Sequence, residues 1–331
     1  MNDFMREAGS RLMTFAPGPY MTGEYRAFAR EYGLCNFILF QDDIESAGQL
    51  LALTAELDAL ARENTGMGAL VAIDQEGGRV QRLPRDMLDT PSAAELAKLG
   101  EARVRETGVR IAHALRAHGV NFNLAPVLDI EYENANAVVG DRSFGKTPAD
   151  AARYGCAMQR GLTEGGALAC VKHFPGHGGT RLDSHLELPA LDSTLEELRA
   201  GPLVPFAAAI ASGARAAMSA HILFPQIDPE RPATLSRRLL TGLLREEMGF
   251  SGLILTDCLE MGAIAKNYGT AAAAKETAEA GADILLVSHT RELAEGAMEA
   301  LARALHDKKL NAAEHECSLG RIKEAKRWLG L

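Results

Sequence analysis

ALACVKHFPGHGGTRLDSH, residues 167–185, is the segment on which the reading of the fold turns. Its opening run, ALACVK, is apolar at consecutive rather than alternate positions. That pattern suits a parallel strand buried on both faces. Pro175, Gly176, Gly178 and Gly179 then make a continued strand or a helix improbable. The segment is therefore expected to be a strand followed by a loop that takes unusual backbone angles and can move.

The same arrangement recurs on both sides. Strands are expected near 11–15 (RLMTF), 35–40 (CNFILF), 68–73 (GALVAI), 121–127 (NFNLAPV), 167–172, 214–220 (ARAAMSA), 252–256 (GLILT) and 282–287 (ADILLV). Amphipathic segments lie between them. Thr147-Pro148-Ala149-Asp150 offers a helix cap, a proline at the first helical position and an acid in the first turn. Ser193 with Glu196, and Asn311 with Glu314, repeat the cap-plus-acid spacing. Eight strands alternating with helices predict an α/β fold, a single TIM-like (β/α)8 barrel over residues 1–331. A doubly wound open sheet is the rival topology. No linker, low-complexity tract or short-period repeat interrupts the pattern.

Of the 331 residues, 47% are hydrophobic, enough for a large core. Lys plus Arg total 35 against 44 Asp plus Glu, a net charge of -9, so no positive field invites nucleic acid or an anionic membrane. The amino terminus, MNDFMREAGSR, lacks the apolar stretch of a secretory signal. The longest uncharged stretch, between Arg199 and Arg215, contains Pro202, Pro205 and Gly213 and is too short to span a bilayer. Cys35, Cys156, Cys170, Cys258 and Cys317 are odd in number, lack metal-type spacing and are expected to be reduced thiols. A cytoplasmic location, and a monomer or weak homo-oligomer, are expected.

In such a barrel the chemistry sits where the strands end at their carboxyl side. Strand three runs into Asp74-Gln75-Glu76-Gly77-Gly78-Arg79 and strand four into Asp129. Strand five meets Lys172-His173, strand six His221, strand seven Asp257 and strand eight Ser288-His289. Any one of these could be an ion pair or a helix cap. Their collection at one end predicts a site. In Asp183-Ser184-His185 a carboxylate lies two residues from an imidazole. In a tight turn it can fix the tautomer and leave the other ring nitrogen to exchange a proton. Asp257, delivered into the mouth by strand seven, suits a glycosidase nucleophile when paired with a proton donor across the mouth.

These residues resemble the family-3 glycoside hydrolases, in particular their bacterial β-N-acetylglucosaminidase branch. The similarity covers nearly the whole chain in one order. It runs through DQEGGRVQR (74–82), APVLDI (125–130), GDRSFG (140–145), KHFPGHG with the following DSH (172–185), MSAHILFP (218–225) and LTDCLEM (255–261). KHFPGHG with DSH is the specific element. The resemblance implies one TIM-like barrel, no metal and no cofactor, and a double displacement that retains anomeric configuration. It implies Asp257 as nucleophile, His185 as acid/base and Asp183 as its orienting partner. Asp74, Arg82, Arg142, Lys172 and His173 are implied to bind hydroxyls of a terminal β-linked N-acetylglucosamine. The implied substrate is a small saccharide or muropeptide from peptidoglycan turnover.

Many relatives carry a second domain that supplies a glutamate as acid/base. This chain is too short for one, so the donor is expected on the glycine-rich loop. Gln41-Asp42-Asp43 stands where the family commonly shows an arginine-asparagine pair. Cys258 follows the nucleophile position where alanine or aspartate is more usual. The only tryptophan is Trp328, which favours a small exo-acting pocket over a long stacking cleft. Four alternatives stay open on the residues alone. They are a metal-dependent barrel hydrolase using His173, His177, Asp183, His185 and His221; a Schiff-base aldolase on Lys172; a sugar sensor without turnover; and a phosphorylase releasing N-acetylglucosamine 1-phosphate.

Overall fold

The apolar runs become short parallel strands whose side chains alternate between two buried layers. The computed structural model describes residues 2–132, 138–180, 184 and 187–331. Its barrel strands are β1 (Leu12–Phe15), β2 (Asn36–Leu39), β3 (Leu70–Ile73), β4 (Phe122–Asn123), β5 (Leu168–Phe174), β6 (Ala216–Ser219), β7 (Leu253–Thr256) and β8 (Leu285–Val287). All eight expected strands are present. They pair in parallel in the order β8-β1-β2-β3-β4-β5-β6-β7, and the parallel bridge from Leu255 to Ile284 joins the two ends. The sheet is thus a closed (β/α)8 barrel and not a doubly wound sheet.

Side-chain parity explains why the runs are continuously apolar. Met13, Ile38, Leu70, Ala72, Phe122, Leu168, Cys170, Ala216, Met218, Leu253, Leu255 and Leu286 form one buried cluster, which fills the barrel. Their neighbours Leu12, Phe37, Leu39, Val71, Ile73 and Ala169 belong to the cluster packed under the helices. A strand of period two needs apolar side chains on both sides when both sides are covered. Ile322, Ala325 and Leu329, from the carboxyl-terminal helix (Ala312–Trp328) and the residue after it, join the barrel cluster and stopper its lower end.

Two of the expected helix caps hold. Thr147 accepts the Asp150 amide with Pro148 in the first turn, and Asn311 accepts the amides of Ala313 and Glu314. The third is corrected by one residue. Thr194, not Ser193, caps its helix, because Glu197 returns a bond to the Thr194 amide and completes a reciprocal capping box. An antiparallel hairpin, Leu223–Phe224 with Asp228–Pro232, follows β6 and is not foreshadowed by the strand pattern.

Below the barrel a buried polar cluster ties the carboxyl-terminal helix to the strands. Asp283 accepts the Ile254 amide and pairs with Arg245 and with Arg321. The fully buried Arg11 spans the carbonyls of Ala282 and Asp283 and places Nη1 3.1 Å from His315 Nδ1. Since Arg11 can only donate, His315 must accept at Nδ1 and carry its hydrogen on Nε2, which faces Glu7. Burial and then Arg11 push the His315 pKa down to about 4 from 6.5. A group whose folded pKa is depressed contributes its full stability above the unfolded pKa and loses it as pH falls. Urea titrations should therefore show stability lost between pH 7 and pH 5 from this residue, at most about 2 kcal/mol and less by the share that solvent screens. His315→Gln should flatten that slope; equal slopes for the two proteins would contradict the account.

Candidate active site

The barrel parity carries straight into the site. Two residues above the inward-facing Ala72, Cys170 and Leu255 stand Asp74, Lys172 and Asp257, the next positions on the same side of their strands. Up to that layer the barrel is filled mostly by apolar side chains. From it upward charged side chains enter the lining, among apolar ones such as Leu124, Met218 and Leu286.

Lys172, only 3% exposed, is the hub. Its Nζ lies 2.8 Å from Asp74 Oδ1 and 2.7 Å from Glu76 Oε1. Arg142 grips Glu76 through both carboxylate oxygens at 2.8 Å, a bidentate arrangement that fixes direction as well as charge. Burial opposes ionisation of Glu76, but Lys172 and Arg142 outweigh it and hold the carboxyl far below its ordinary range. Burial likewise opposes the charge on Lys172, and Asp74 and Glu76 overcome it and raise its pKa. The result is a preset array of donors and acceptors that needs no proton exchange at neutral pH. Arg82 adds a fifth charge, its Nη2 3.7 Å from Asp74 Oδ2, while its Nε is buried with no hydrogen-bond partner among the described residues.

Tight turns make this packing possible. Gly77 and Gly78 both have positive φ, and a Cβ on Gly78 would press against Ser92 at 2.7 Å. Only glycine lets the Glu76 carboxylate turn back beneath Lys172 in this loop. Gly178 is required for a different reason. A Cβ there would lie 1.8 Å from the Ile130 carbonyl, so the loop after β5 rests directly on the backbone that follows β4.

A second buried centre orients the imidazoles. Asp129 accepts His173 Nδ1 at 2.6 Å, the His173 amide at 3.3 Å and the His177 amide at 2.7 Å. Burial works against the Asp129 charge, and His173 and His177 together overcome it and lower its pKa. His173 is thereby held with its Nε2 edge away from the aspartate. His177 meets Ser184 Oγ through Nε2 at 2.9 Å and Thr180 Oγ1 through Nδ1 at 3.0 Å, and burial lowers its pKa. Lys172 and His173 fall within β5, which runs on to Phe174. The strand is thus longer than expected, and the loop begins at Pro175.

Asp257 leads out of β7. Its amide donates to the Ser219 carbonyl, and its Oδ1 accepts the Cys258 amide at 2.8 Å. Burial would raise its pKa. His221, His173, the Cys258 amide and Lys172 more than compensate, so the carboxyl is held below its ordinary range and is ionised at neutral pH. Cys258 itself is no nucleophile: burial pushes its thiol up to about 11.

Asp74, Arg82, Arg142, Lys172, His173 and Asp257 line one cavity of about 280 Å³, with Glu76, His177 and Ser184 also in its wall. The structure therefore gathers every substrate-binding candidate with the nucleophile candidate. Its size suits one sugar ring. A second lobe of about 490 Å³ shares Asp74, Arg82 and Asp257 and extends past Phe40, Asp42 and His289. Gln41-Asp42-Asp43 thus borders this outer lobe, with Gln41 and Asp42 exposed. Asp183 and His185 lie outside the described residues. Ser184 between them is buried, and its carbonyl accepts the Ala263 amide.

Sequence reasoning placed Glu76 and Asp129 at the strand ends and weighed His177 only as a metal ligand, and gave none of the three a part in the sugar site. Each stood inside a quoted motif. What was lacking was the knowledge that Glu76 and Asp129 serve other side chains: one anchors Lys172 and Arg142, the other aligns two imidazoles.

Comparison with known proteins agrees with this architecture. Residues 10–325 match the model of the "Glycosyl hydrolase family 3 N terminal domain". A protein named Beta-hexosaminidase from Methylococcus capsulatus is 38% identical over 288 residues, covering 86% of this chain and 84% of that protein. A solved family-3 β-N-acetylglucosaminidase from Paenibacillus sp. superposes with a TM-score of 0.95 at 39% identity, over 98% of this chain and 62% of that one. NagZ from Neisseria gonorrhoeae, solved with N-trifluoroacetyl-D-glucosamine, matches with a TM-score of 0.79 at 31% identity, over 95% of this chain and 97% of that one.

Proposed function

Because the chain belongs to glycosyl hydrolase family 3 and so is a glycoside hydrolase, we propose that it is a retaining exo-β-N-acetylglucosaminidase. The observation that carries this reading is the ionised carboxylate of Asp257 at the edge of a sugar-sized cavity. That cavity also holds the fixed array of Asp74, Lys172, His173, Arg82 and Arg142. The name of the Methylococcus relative and the ligand of the Neisseria structure support an N-acetylhexosamine as the glycone.

In this reading the array holds the hydroxyls of the terminal sugar, with Lys172 donating to an oxygen that Asp74 also reaches as an acceptor. Asp257 attacks the anomeric carbon, and the imidazolium of His185 gives its proton to the departing oxygen. A covalent glycosyl-enzyme results. Neutral His185, oriented by Asp183, then takes a proton from water as that water attacks the same carbon and Asp257 leaves. One histidine can serve both steps because its ordinary pKa lies near neutrality. We assign the substrate to muropeptide fragments of peptidoglycan turnover, and the action to a single barrel domain of residues 1–331 in the cytoplasm.

The test is hydrolysis of 4-nitrophenyl β-N-acetylglucosaminide beside the β-glucoside, with the released sugar followed by NMR before it mutarotates. The expected result is a strong preference for the acetamido sugar, with the β-anomer appearing first. First appearance of the α-anomer, or equal rates on both sugars, would overturn the proposal.

A further inference from the structure

The Asp257 turn is clamped from both neighbouring strands, and one clamp has no role in the mechanism above. On the β8 side, Leu259 donates its amide to Leu286 O at 2.9 Å. Glu260 Oε2 accepts the amides of Ser288 and His289, both at 2.7 Å. On the β6 side stands His221, 1% exposed. Its Nε2 lies 2.9 Å from the Cys258 carbonyl and its Nδ1 lies 2.8 Å from Thr234 Oγ1. A carbonyl can only accept, so Nε2 carries a hydrogen and donates it.

Thr234, buried under the hairpin that follows β6, is itself fixed. Its hydroxyl lies 2.9 Å from the Ala220 carbonyl and 3.0 Å from Ser219 Oγ. Threonine, histidine and carbonyl form a strut from the hairpin to the residue whose amide holds Asp257 Oδ1.

We propose that His221 is a positioning residue for the reaction: by holding the Cys258 carbonyl it sets the direction of the Asp257 carboxylate toward the anomeric carbon. The inference rests on Asp257 being the nucleophile. It also gives His221 a use other than the zinc ligation weighed from sequence, since both ring nitrogens face protein partners. The energetic logic is that of a near-attack geometry. A nucleophile misplaced by about 1 Å costs on the order of 10²-fold in rate, without any change in how the sugar binds. Removing the strut leaves the Cys258 carbonyl with the Met261 amide, 3.1 Å away and within the same turn. The turn then stays tied to β8 and, through the Asp257 amide, to Ser219, but the peptide that directs the carboxylate is no longer held from the β6 side.

The pair His221→Gln and His221→Asn, amides of different reach, provides the test. A glutamine amide reaches the place of Nε2 and can still donate to the Cys258 carbonyl. An asparagine amide stops near Nδ1 and cannot. Both should fold, as each keeps one end of the strut, Gln at the Cys258 carbonyl and Asn beside Thr234; matching near-ultraviolet circular dichroism checks this. With 4-nitrophenyl β-N-acetylglucosaminide, Gln should keep kcat within about tenfold of wild type, and Asn should lose on the order of 10²-fold with KM changed by less than about threefold. The Asn loss should be the same with a poor leaving group, since both substrates need the nucleophile equally.

Equal kcat values for Gln and Asn would overturn the inference. So would an Asn loss that disappears with the activated substrate, which would mark His221 as a proton donor. If the wild-type protein fails to turn over either substrate, the functional reading falls and this one with it. If the wild type is active and Asp257→Ala is not, while Gln and Asn behave alike, only the role of His221 falls.

Discussion

Asp257→Ala is expected to lower kcat/KM on 4-nitrophenyl β-N-acetylglucosaminide by roughly 10⁴-fold or more, the scale seen when a covalent nucleophile is removed. The fold should survive. What is lost is local to the mouth of the barrel: the bond from the Cys258 amide and the charge attraction of Lys172, His173 and His221, while the strands and their core are untouched. Removal also leaves a small cavity beside Lys172, His173 and His221, where a negative charge had been stabilised. Added azide should enter it and attack the anomeric carbon from the face Asp257 used, giving the α-glycosyl azide. Product of β configuration, or residual turnover above about one per cent, would show that some other group forms the covalent bond.

The barrel was legible in the chain because parallel strands covered on both sides must be apolar at consecutive positions, and all eight runs read that way. The hairpin of Leu223–Phe224 and Asp228–Pro232 was not. DPERP has no alternation, and its pairing follows from the path of the chain past β6 rather than from its composition. The cap at Thr194 was displaced by one residue because two spacings fitted, and only the reciprocal bond from Glu197 distinguishes them.

Among site residues, Asp74, Lys172 and Asp257 could be found from sequence because each is the first charged residue after an apolar run. Arg142 and Arg82 came through the family resemblance. Glu76 and Asp129 act by holding other side chains, and a partner from another strand leaves no mark on the local sequence. His221 was visible as a strand-end imidazole, but its task depends on Thr234, thirteen positions away and brought beneath it by the hairpin.

His185→Ala separates proton transfer from nucleophilic attack. A phenol as acidic as 4-nitrophenol departs with little proton assistance, whereas the sugar hydroxyl of a natural substrate does not. kcat/KM reports the first irreversible step, glycosylation. It should therefore fall by about 10²–10⁴-fold on a GlcNAc–sugar substrate and far less on the nitrophenyl glycoside. Deglycosylation still needs a base, so on the nitrophenyl glycoside the variant should release a burst of phenol equal to the enzyme present and then slow. Azide, which attacks without giving up a proton, should restore the steady rate and yield the β-glycosyl azide. Asp183→Ala should show the same pattern in milder form, because it misdirects the imidazole without removing it. The opposite azide anomers from the two variants are decisive together. α from Asp257→Ala places the attack on the face the carboxylate has left, and β from His185→Ala shows the carboxylate still forming the intermediate. Equal losses on both substrates with no burst would take the acid/base role away from His185 while leaving Asp257 in place.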